Sequence, residues 1–339
     1  MGLNIAEIVP REAIEFSQLK NKFIAIDAFN SIYQFLSSIR QPDGTPLMDS
    51  RGRVTSHLSG LFYRNINLLQ EGLKLMYVFD GTPPELKNKT HEKRYEAKQE
   101  AQVKYEEAKS EEDIEGMGKY SKALSRLNNE MIEESKELLK AMGICIIQAA
   151  GEGESQAAFL NKEYKQIHAV GSQDYDSLLF GAPRLIQNLT LARKRKTSTG
   201  FVYISPEIID LEKVLNTLQI NMEQLISLGI LVGTDYNPGG VKGIGQKKAL
   251  EIVRKLKSPA VIFNSIPQDK MDFNWQEIYS LFSSPSVQRD VDISCPRINE
   301  AKIKQILIEE HEFSLDRVNA ALERLRTSMQ ERSQRTLFT

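Results

Sequence analysis

Cysteine and long apolar runs are scarce in this chain. Its only two cysteines, Cys145 and Cys295, belong to no CxxC or mixed Cys/His pattern. A disulfide framework and a zinc site are therefore not indicated, and both thiols are expected to be inert and buried in the core. The amino terminus lacks a basic segment followed by an apolar one, and no stretch approaches the roughly 20 apolar residues of a membrane span. These absences predict an intracellular protein without a membrane span.

A basic excess, which nucleic-acid-binding proteins usually carry, is also lacking, because the formal net charge is -1. The sum does not exclude such a protein, since two bound divalent cations would bring it to about +3. With 41% hydrophobic residues and 12 prolines, the 339-residue chain can bury a full core and is long enough for about two domains.

Short apolar runs alternate with amphipathic stretches. The runs at 23–28 and 75–80 predict buried strands, and the helical spacing at 58–73 between them predicts a strand, helix, strand unit with parallel strands. Further strands are predicted at 143–148, 167–172 and 183–189. The fold class is therefore α/β, with a central, mostly parallel sheet flanked by helices.

Acidic residues recur where these elements meet. They lie in five places, at Asp27, Asp80, Glu152 with Glu154, Asp174 with Asp176, and Asp235. Each acid alone has an ordinary explanation, such as capping a helix or closing a turn. Their recurrence beyond strand ends, where open α/β sheets bind ligands, favours one shared crevice. An all-oxygen donor set suits Mg²⁺ or Mn²⁺, and two such ions can hydrolyse a phosphodiester.

Two basic segments are candidates for binding the phosphates of a nucleic acid. A helix at 222–232 is followed by a turn with Gly243 and Gly245, and then by a second helix that starts near Lys247 and Lys248. The open N-H groups of such a turn bind anions, although a plain packing unit is the alternative. The segment 84–130, rich in Lys, Glu and Ala, is expected to be helical and hardly buried.

The position of that charged segment, directly after Asp80, allows two interpretations. It is either a solvated helical excursion or a cover that brings cations to a phosphate opposite the metals. The cations concerned are Lys87, Lys89, Lys93, Arg94 and Lys98. The basic run at 193–196 is expected in a loop or at a hairpin tip, and either plain solvation or DNA contact would explain it.

Long motifs distributed over nearly the whole chain carry a resemblance to a known family. They are MGLNIAEIVP, IAIDAFNSIYQFLSSIRQPDGTPLMDSRGRVTSHLSGLFYR, YVFDGTPPELK, GEGESQAA, VGSQDYDSLLFG and LVGTDYNPGGVKGIGQKKALEIV. In this order they resemble the flap endonucleases, which are structure-specific 5′ nucleases with a PIN-like fold, and most closely the archaeal branch. The resemblance implies cleavage of branched DNA at the base of a 5′ flap in replication and repair, including Okazaki fragment processing, with companion 5′-3′ exonuclease activity.

The resemblance also implies roles for individual residues. A two-magnesium site, in which Mn²⁺ can substitute, would be held by Asp27, Asp80, Glu152, Glu154, Asp174, Asp176 and Asp235. Lys87 and Arg94 match basic residues at the base of a helical arch that assist cleavage. Tyr33 matches an aromatic that stacks near the DNA junction, and Arg40 and Arg64 fall in segments near bound DNA. Gly243 and Gly245 match a helix-hairpin-helix turn that holds duplex backbone with a monovalent cation, K⁺.

The expected organisation follows the motifs. It comprises an N-terminal nuclease region at 1–100, the arch at 84–130, an internal nuclease region at 116–258 that includes the helix-hairpin-helix at 222–256, a C-terminal helical region at 259–332, and a tail at 333–339. In the tail, Gln334, Leu337 and Phe338 begin a binding motif for the sliding clamp PCNA, which lacks its final aromatic pair. The protein alone is expected to be monomeric, and the resemblance implies a cytoplasmic location. Alternatives are a non-catalytic junction-binding or clamp-associated scaffold and a related junction or bubble nuclease.

Overall fold

The computed structural model describes most of the chain. The described residues are 3–41, 43–82, 85–87, 99–108, 113, 116, 120, 127–190, 194–197 and 200–337, with the backbone alone at 194–197, 201 and 332–337. The predicted arch at 84–130 therefore falls largely outside the described residues, and so do Lys89, Lys93, Arg94 and Lys98. Within it, 99–108 is helical, as expected.

A seven-stranded sheet forms the centre of the fold, with the order β1-β9-β6-β5-β2-β3-β4. The strands, with those of a separate hairpin formed by β7 and β8, are β1 (Glu12–Ala13), β2 (Phe23–Asp27), β3 (Lys74–Phe79), β4 (Cys145–Gln148), β5 (Ile167–Gly171), β6 (Arg184–Gln187), β7 (Lys194–Thr197), β8 (Gly200–Tyr203) and β9 (Glu207–Asp210). Five neighbouring strands, from β6 to β4, run parallel, which confirms the predicted sheet. At the other edge, β9 runs antiparallel to both of its neighbours, β6 and β1, and neither β9 nor β1 was predicted.

Helices cover both faces of this sheet. They are α1 (Ala28–Ser38), α2 (Ser56–Gln70), α3 (Asn129–Ala141), α4 (Gly153–Glu163), α5 (Asp176–Leu179), α6 (Leu211–Leu218), α7 (Met222–Val232), α8 (Gln246–Leu256), α9 (Pro259–Asn264), α10 (Trp275–Ser283), α11 (Glu300–Lys304) and α12 (Leu315–Leu337). No helix in the described part of the chain is long and apolar enough to cross a bilayer.

The central strands are apolar throughout because both of their faces are buried. In β3, Met76 and Val78 enter one core cluster, whereas Leu75, Tyr77 and Phe79 enter the other. This alternation follows from the period of two in a strand. Because both faces of these strands are buried, polar side chains concentrate at the strand ends and beyond them. The acids that follow the strands therefore lie at the edge of the core.

The helix-turn-helix prediction is confirmed at the backbone level. Asn221 accepts a hydrogen bond from the backbone N-H of Gln224, whose side chain caps Asn221 in return, so α7 begins with a capping box. The second helix, α8, begins after the glycine turn and packs on α7. Glycines at this turn allow the chain to reverse between the two helices.

The C-terminal helical region is less continuous than expected. After α11 the backbone forms a π-helical turn at Gln305–Glu310, and α12 begins only at Leu315. Upstream of α11, residues 284–299 contain no regular secondary structure. The backbone N-H of Asn299 donates to the carbonyl oxygen of Ala141 at 2.7 Å, which joins this segment to the end of α3.

Candidate active site

The first two acids lie where neighbouring parallel strands end. Asp27 is the last residue of β2 and caps α1, accepting the backbone N-H of Asn30 at 3.1 Å. Asp80 directly follows β3, and its Oδ1 accepts the backbone N-H of Gly153 at 2.6 Å. A Cβ atom at Gly153 would lie 2.8 Å from that carboxylate oxygen, so glycine allows the helix terminus to approach Asp80 closely.

The acidic pair at 152 and 154 opens helix α4. Glu152 precedes the first helical residue and is buried, while Glu154 lies in the first turn. A helix N-terminus favours negative charge, which explains why two acids are tolerated here. The hydroxyl of Ser172, beyond the end of β5, donates to Glu154 Oε1 at 3.1 Å. The i,i+2 spacing therefore places both acids at the same edge of the sheet.

The second acidic pair follows β5 and is held by contacts with distant parts of the chain. The side-chain amide of Asn30 donates to Asp174 Oδ2 at 2.9 Å, and the backbone N-H of Leu3 donates to Asp176 Oδ1 at 3.3 Å. Asp235 follows α7 in a turn in which Asn237 accepts hydrogen bonds from Thr234. The predicted convergence is thus present in the structure.

Burial, together with mutual repulsion, raises the pKa of five of these carboxyl groups, those of Asp27, Asp80, Glu152, Glu154 and Asp176, and so favours their neutral form. Burial, followed by the charge of Asp80, raises the pKa of Asp27 to about 8. Burial and Asp235 raise the pKa of Asp176 to about 8, and burial with Asp27 raises the pKa of Glu154 well above its usual value. Shifts of this sign show that the cluster needs positive charge to stay ionised.

Lys87 supplies one such charge from the segment after Asp80. Its ammonium forms an ion pair with Glu152 Oε1, and its Nζ lies 4.0 Å from Asp235 Oδ2. Burial opposes the charge, but Glu152, Asp235 and Asp80 together raise the pKa of Lys87 above its ordinary value. In this arrangement, no group of three or more acidic, histidine or cysteine side chains among the described residues is positioned to hold a metal ion.

Two residues of this site were not identified from the sequence. Asn30 bonds to both Asp27 and Asp174, and its side-chain oxygen also accepts the backbone N-H of Gln173 at 3.2 Å. The hydroxyl of the buried Tyr236 donates to Glu152 Oε2. The sequence offered one signal for each residue, its closeness to a predicted metal ligand. Asn30 lies one helical turn after Asp27, and Tyr236 follows Asp235 directly.

The candidate DNA contacts lie outside the acidic cluster. Tyr33, on α1, is 43% exposed, as a stacking surface requires. Arg40 is half-buried and donates to the carbonyl oxygen of Gly44 at 2.8 Å. Arg64, on α2, is also half-buried, and burial lowers the pKa of its guanidinium. The structure thus places all three near the surface without showing a nucleic-acid contact.

The glycine turn before α8 is open to solvent. Gly243 has φ +81°, in the left-handed region that favours glycine, and Gly245 caps the helix. A Cβ atom at either position would meet nothing within 4 Å, so a ligand can approach the backbone there. Lys247 and Lys248 are exposed, and Lys247 Nζ lies 3.3 Å from Glu7 Oε2.

The expected clamp-binding tail is only partly described. Gln334 and Leu337 belong to α12, where only the backbone is described, and Phe338 lies outside the described residues. Residues 194–196 of the basic run at 193–196 lie on β7, which pairs with β8 in a hairpin, and residue 193 lies outside the described residues. The expected position in a loop or at a hairpin tip is therefore wrong for residues 194–196, which lie in a strand of the hairpin because their backbone pairs with residues 201–203.

One sequence prediction about cysteine is wrong. Cys145, on β4, is buried as expected, but Cys295 is exposed. The two thiols also hydrogen-bond to each other, although they are far apart in sequence. The pattern could not show this, because the contact depends on how residues 284–299 run along the edge of the sheet.

Family models match the two regions that contain the acids. The XPG N-terminal domain matches residues 4–101, which include Asp27 and Asp80, and the XPG I-region matches residues 143–235, which include the other five carboxylates. The fold and the acidic crevice therefore define a nuclease of the XPG type, a hydrolase acting on DNA.

Individual relatives narrow this class. The chain is 52% identical to flap endonuclease 1 of Pyrococcus furiosus over 339 residues, covering 99% of this chain and 98% of that protein. It is 50% identical to that of Hyperthermus butylicus over 336 residues, covering 98% and 96%. The structure of flap endonuclease-1 from Methanococcus jannaschii matches with a TM-score of 0.77 and 40% identity, covering 98% of this chain and all of that one. The chain belongs to the flap endonuclease family and is a structure-specific flap endonuclease.

Proposed function

We propose that this enzyme hydrolyses the phosphodiester at the base of a 5′ flap with two Mg²⁺ ions, for which Mn²⁺ can substitute. The observation that carries the proposal is the convergence of seven carboxylates from separate elements on one crevice. Burial there raises the pKa of Asp27, Glu154 and Asp176, and the ammonium of Lys87 lies among the acids. Such a cluster is costly to a fold unless it serves to bind cations.

The donor set fits hard divalent cations. Every candidate ligand is a carboxylate oxygen, with no imidazole or thiolate among them, which favours Mg²⁺ or Mn²⁺ over zinc. One ion would be held by Asp27, Asp80, Glu152 and Glu154, and the other by Asp174, Asp176 and Asp235. When bound, the ions supply activation of the attacking water and neutralise charge on the leaving oxygen.

Residues of the chain itself orient these ligands and receive the phosphate. Asn30 holds Asp174 in position relative to Asp27, and the N-terminus of α4 holds Asp80 through Gly153. Lys87 lies beside Glu152 and Asp235. When cations bind these carboxylates, the ammonium of Lys87 can pair with a phosphate oxygen instead. Arg94 is assigned the same phosphate-binding role.

Other surfaces grip the DNA without reading its sequence. The backbone N-H groups around Gly243 and Gly245, assisted by K⁺ and by Lys247 and Lys248, bind duplex phosphates. Tyr33 stacks at the junction, with Arg40 and Arg64 nearby. This division supports activity on branched DNA in replication, including Okazaki fragment processing, and in repair, with 5′-3′ exonuclease activity. Gln334, Leu337 and Phe338 bind the sliding clamp PCNA, and the protein acts in the cytoplasm.

A flap cleavage assay tests the proposal. Cutting is expected in Mg²⁺ and not in EDTA, and Asp174→Ala is expected to abolish cutting while leaving DNA binding nearly intact, because cations and backbone contacts involve different residues. Asp269→Ala, an exposed acid distant from the cluster in sequence, is the matched control and should cut normally. Binding without cutting in Mg²⁺ would instead support a non-catalytic scaffold.

Competition among defined substrates tests the specificity. A 5′ flap is expected to be cut in preference to a Holliday junction or a bubble of equal length. Preferential cutting of either rival substrate would assign the crevice to a related junction or bubble nuclease.

A further inference from the structure

The two cysteines of the chain meet at the edge of the central sheet. Cys145 is the first residue of β4, the edge strand, and its sulfur lies 3.9 Å from the carbonyl oxygen of Asp292. Cys295 lies three residues after Asp292 in the sequence, and its thiol hydrogen-bonds to that of Cys145. One thiol is buried and the other is exposed, so only Cys295 is open to a reagent in solvent.

Residues 284–299, named here the strap, are held against α4 by a few polar contacts. The side-chain amide of Gln156 donates to the carbonyl oxygen of Gln288 at 2.9 Å and its oxygen accepts the backbone N-H of Gln288 at 2.7 Å. The hydroxyl of Tyr164 donates to the carbonyl oxygen of Arg289 at 2.7 Å. The strap therefore has a defined path, without the ladder of hydrogen bonds that a strand would have.

A local turn in the strap brings Cys295 to the sheet. Asp292 accepts both the backbone N-H and the hydroxyl of Ser294 at 2.9 Å, which bends the chain immediately before the cysteine. Beyond the cysteine, Pro296 approaches Gly143, at which a Cβ atom would lie 3.2 Å from the proline carbonyl oxygen. The contact of the thiols is thus enforced from both sides of Cys295.

The surroundings give the two thiols different reactivity. The hydrogen bond from Cys145, together with the charge of Lys74, lowers the pKa of the Cys295 thiol to about 7. The same hydrogen bond and burial raise the pKa of Cys145. An exposed thiol with a lowered pKa beside a buried second thiol is the arrangement of an attacking and a resolving cysteine.

We propose that Cys145 and Cys295 form a redox-sensitive dithiol that closes to a disulfide and fastens the strap to strand β4. With a low-molecular-weight disulfide as the oxidant, the Cys295 thiolate attacks one of its sulfurs and displaces the first thiolate. Cys145, on losing its proton, then attacks the Cys295 sulfur and releases the second. Two protein thiols become one disulfide, and two electrons and two protons pass to the reagent, which leaves as two thiols.

The consequence is expected in stability and not in catalysis. The bond would close a long loop between the nuclease core and the C-terminal region, which restricts the unfolded chain. Cys145 begins β4, whereas the acidic crevice lies beyond the opposite, carboxyl end of that strand. Oxidation is therefore expected to raise the Tm by on the order of 5 °C and to leave flap cleavage unchanged.

Peptide mapping of the full chain tests the bond. After treatment with oxidised glutathione at neutral pH and blocking of free thiols, mass spectrometry without reduction should show the peptides of Cys145 and Cys295 joined within a monomer. Retained thiols, a stable glutathione adduct on Cys295, or a dimer joined through Cys295 would each overturn the proposal.

Two variants separate the roles of the thiols. Cys295→Ser should leave Cys145 unmodified, remove the oxidative rise in Tm and cut flaps normally. Cys145→Ala should stop at a glutathione adduct on Cys295. If Cys145→Ala does not fold, the change of Tm on oxidation is compared between the wild type and Cys295→Ser alone. A wild type that is crosslinked but keeps the Tm of the reduced protein would refute the proposal that the bond fastens the strap.

Discussion

The hydroxyl of Tyr236 offers a direct test of how the site holds its ligands. Tyr236→Phe removes one oxygen that donates to Glu152 Oε2 and keeps the ring. The ring centroid lies 5.3 Å from that of Phe282 and 5.8 Å from Lys87 Nζ, so packing and the cation-π contact remain. The substitution therefore isolates one hydrogen bond to a buried carboxylate.

The expected loss follows from the charge and burial of Glu152. A hydrogen bond to a charged group contributes about 1.5–3 kcal/mol, and groups that orient metal ligands change metal affinity roughly 10- to 100-fold. Because Lys87 still pairs with Glu152, we expect the lower half of this range, about 10- to 30-fold weaker binding of the divalent cation.

The assay is the dependence of flap cleavage on Mg²⁺ concentration, with Mn²⁺ binding measured by calorimetry as a readout independent of activity. The curve for Tyr236→Phe should shift to higher Mg²⁺ while the rate at saturation recovers largely. Tyr77→Phe is the matched control, because the Tyr77 hydroxyl donates to Asn65 at 2.9 Å in the core, outside the acidic cluster. Unchanged metal affinity in Tyr236→Phe, or an equal shift in the control, would refute the reasoning.

Three further outcomes are expected. Replacing Lys247 and Lys248 with alanine should weaken duplex binding and lower the salt slope by about 2, since each phosphate contact contributes roughly 0.9, and an unchanged slope would contradict phosphate binding. Gly153→Ala places a Cβ atom 2.9 Å from a backbone oxygen of β3 and should destabilise the protein by about 1–3 kcal/mol in urea unfolding, whereas wild-type stability would show that α4 can move aside. The pKa of Asp27 and of Asp176 is raised to about 8 in the folded protein, so the stability they contribute is present below their unfolded pKa near 4 and is lost as pH rises through 8. The Tm of the metal-free protein should therefore fall between about pH 4 and 8, and Mg²⁺ should suppress this fall. A series of Tm measurements in EDTA and in Mg²⁺ checks both expectations.

The cost of the acidic cluster explains why the site is built from so many separate segments. Several carboxylates are held by a donor from another element, as Asp176 is by the N-terminal Leu3 and Asp174 is by Asn30. Such contacts keep the acids at fixed positions despite their repulsion. A site on rigid strand ends can therefore be organised before cations and DNA arrive.

Local patterns were enough to predict the parallel core, the helix at 222–232 and the acids, because burial on both faces makes a strand uniformly apolar and places polar residues at its end. Local patterns could not predict contacts between segments that are distant in sequence. Three examples are the antiparallel pairing of β9 with β6, the hydrogen bond from Asn30 to Asp174 and the contact of Cys145 with Cys295. Residue types and spacing determined that acids recur beyond the ends of the core strands. Only the tertiary structure decided which donors hold them and which thiols meet, because those contacts depend on how separate elements pack.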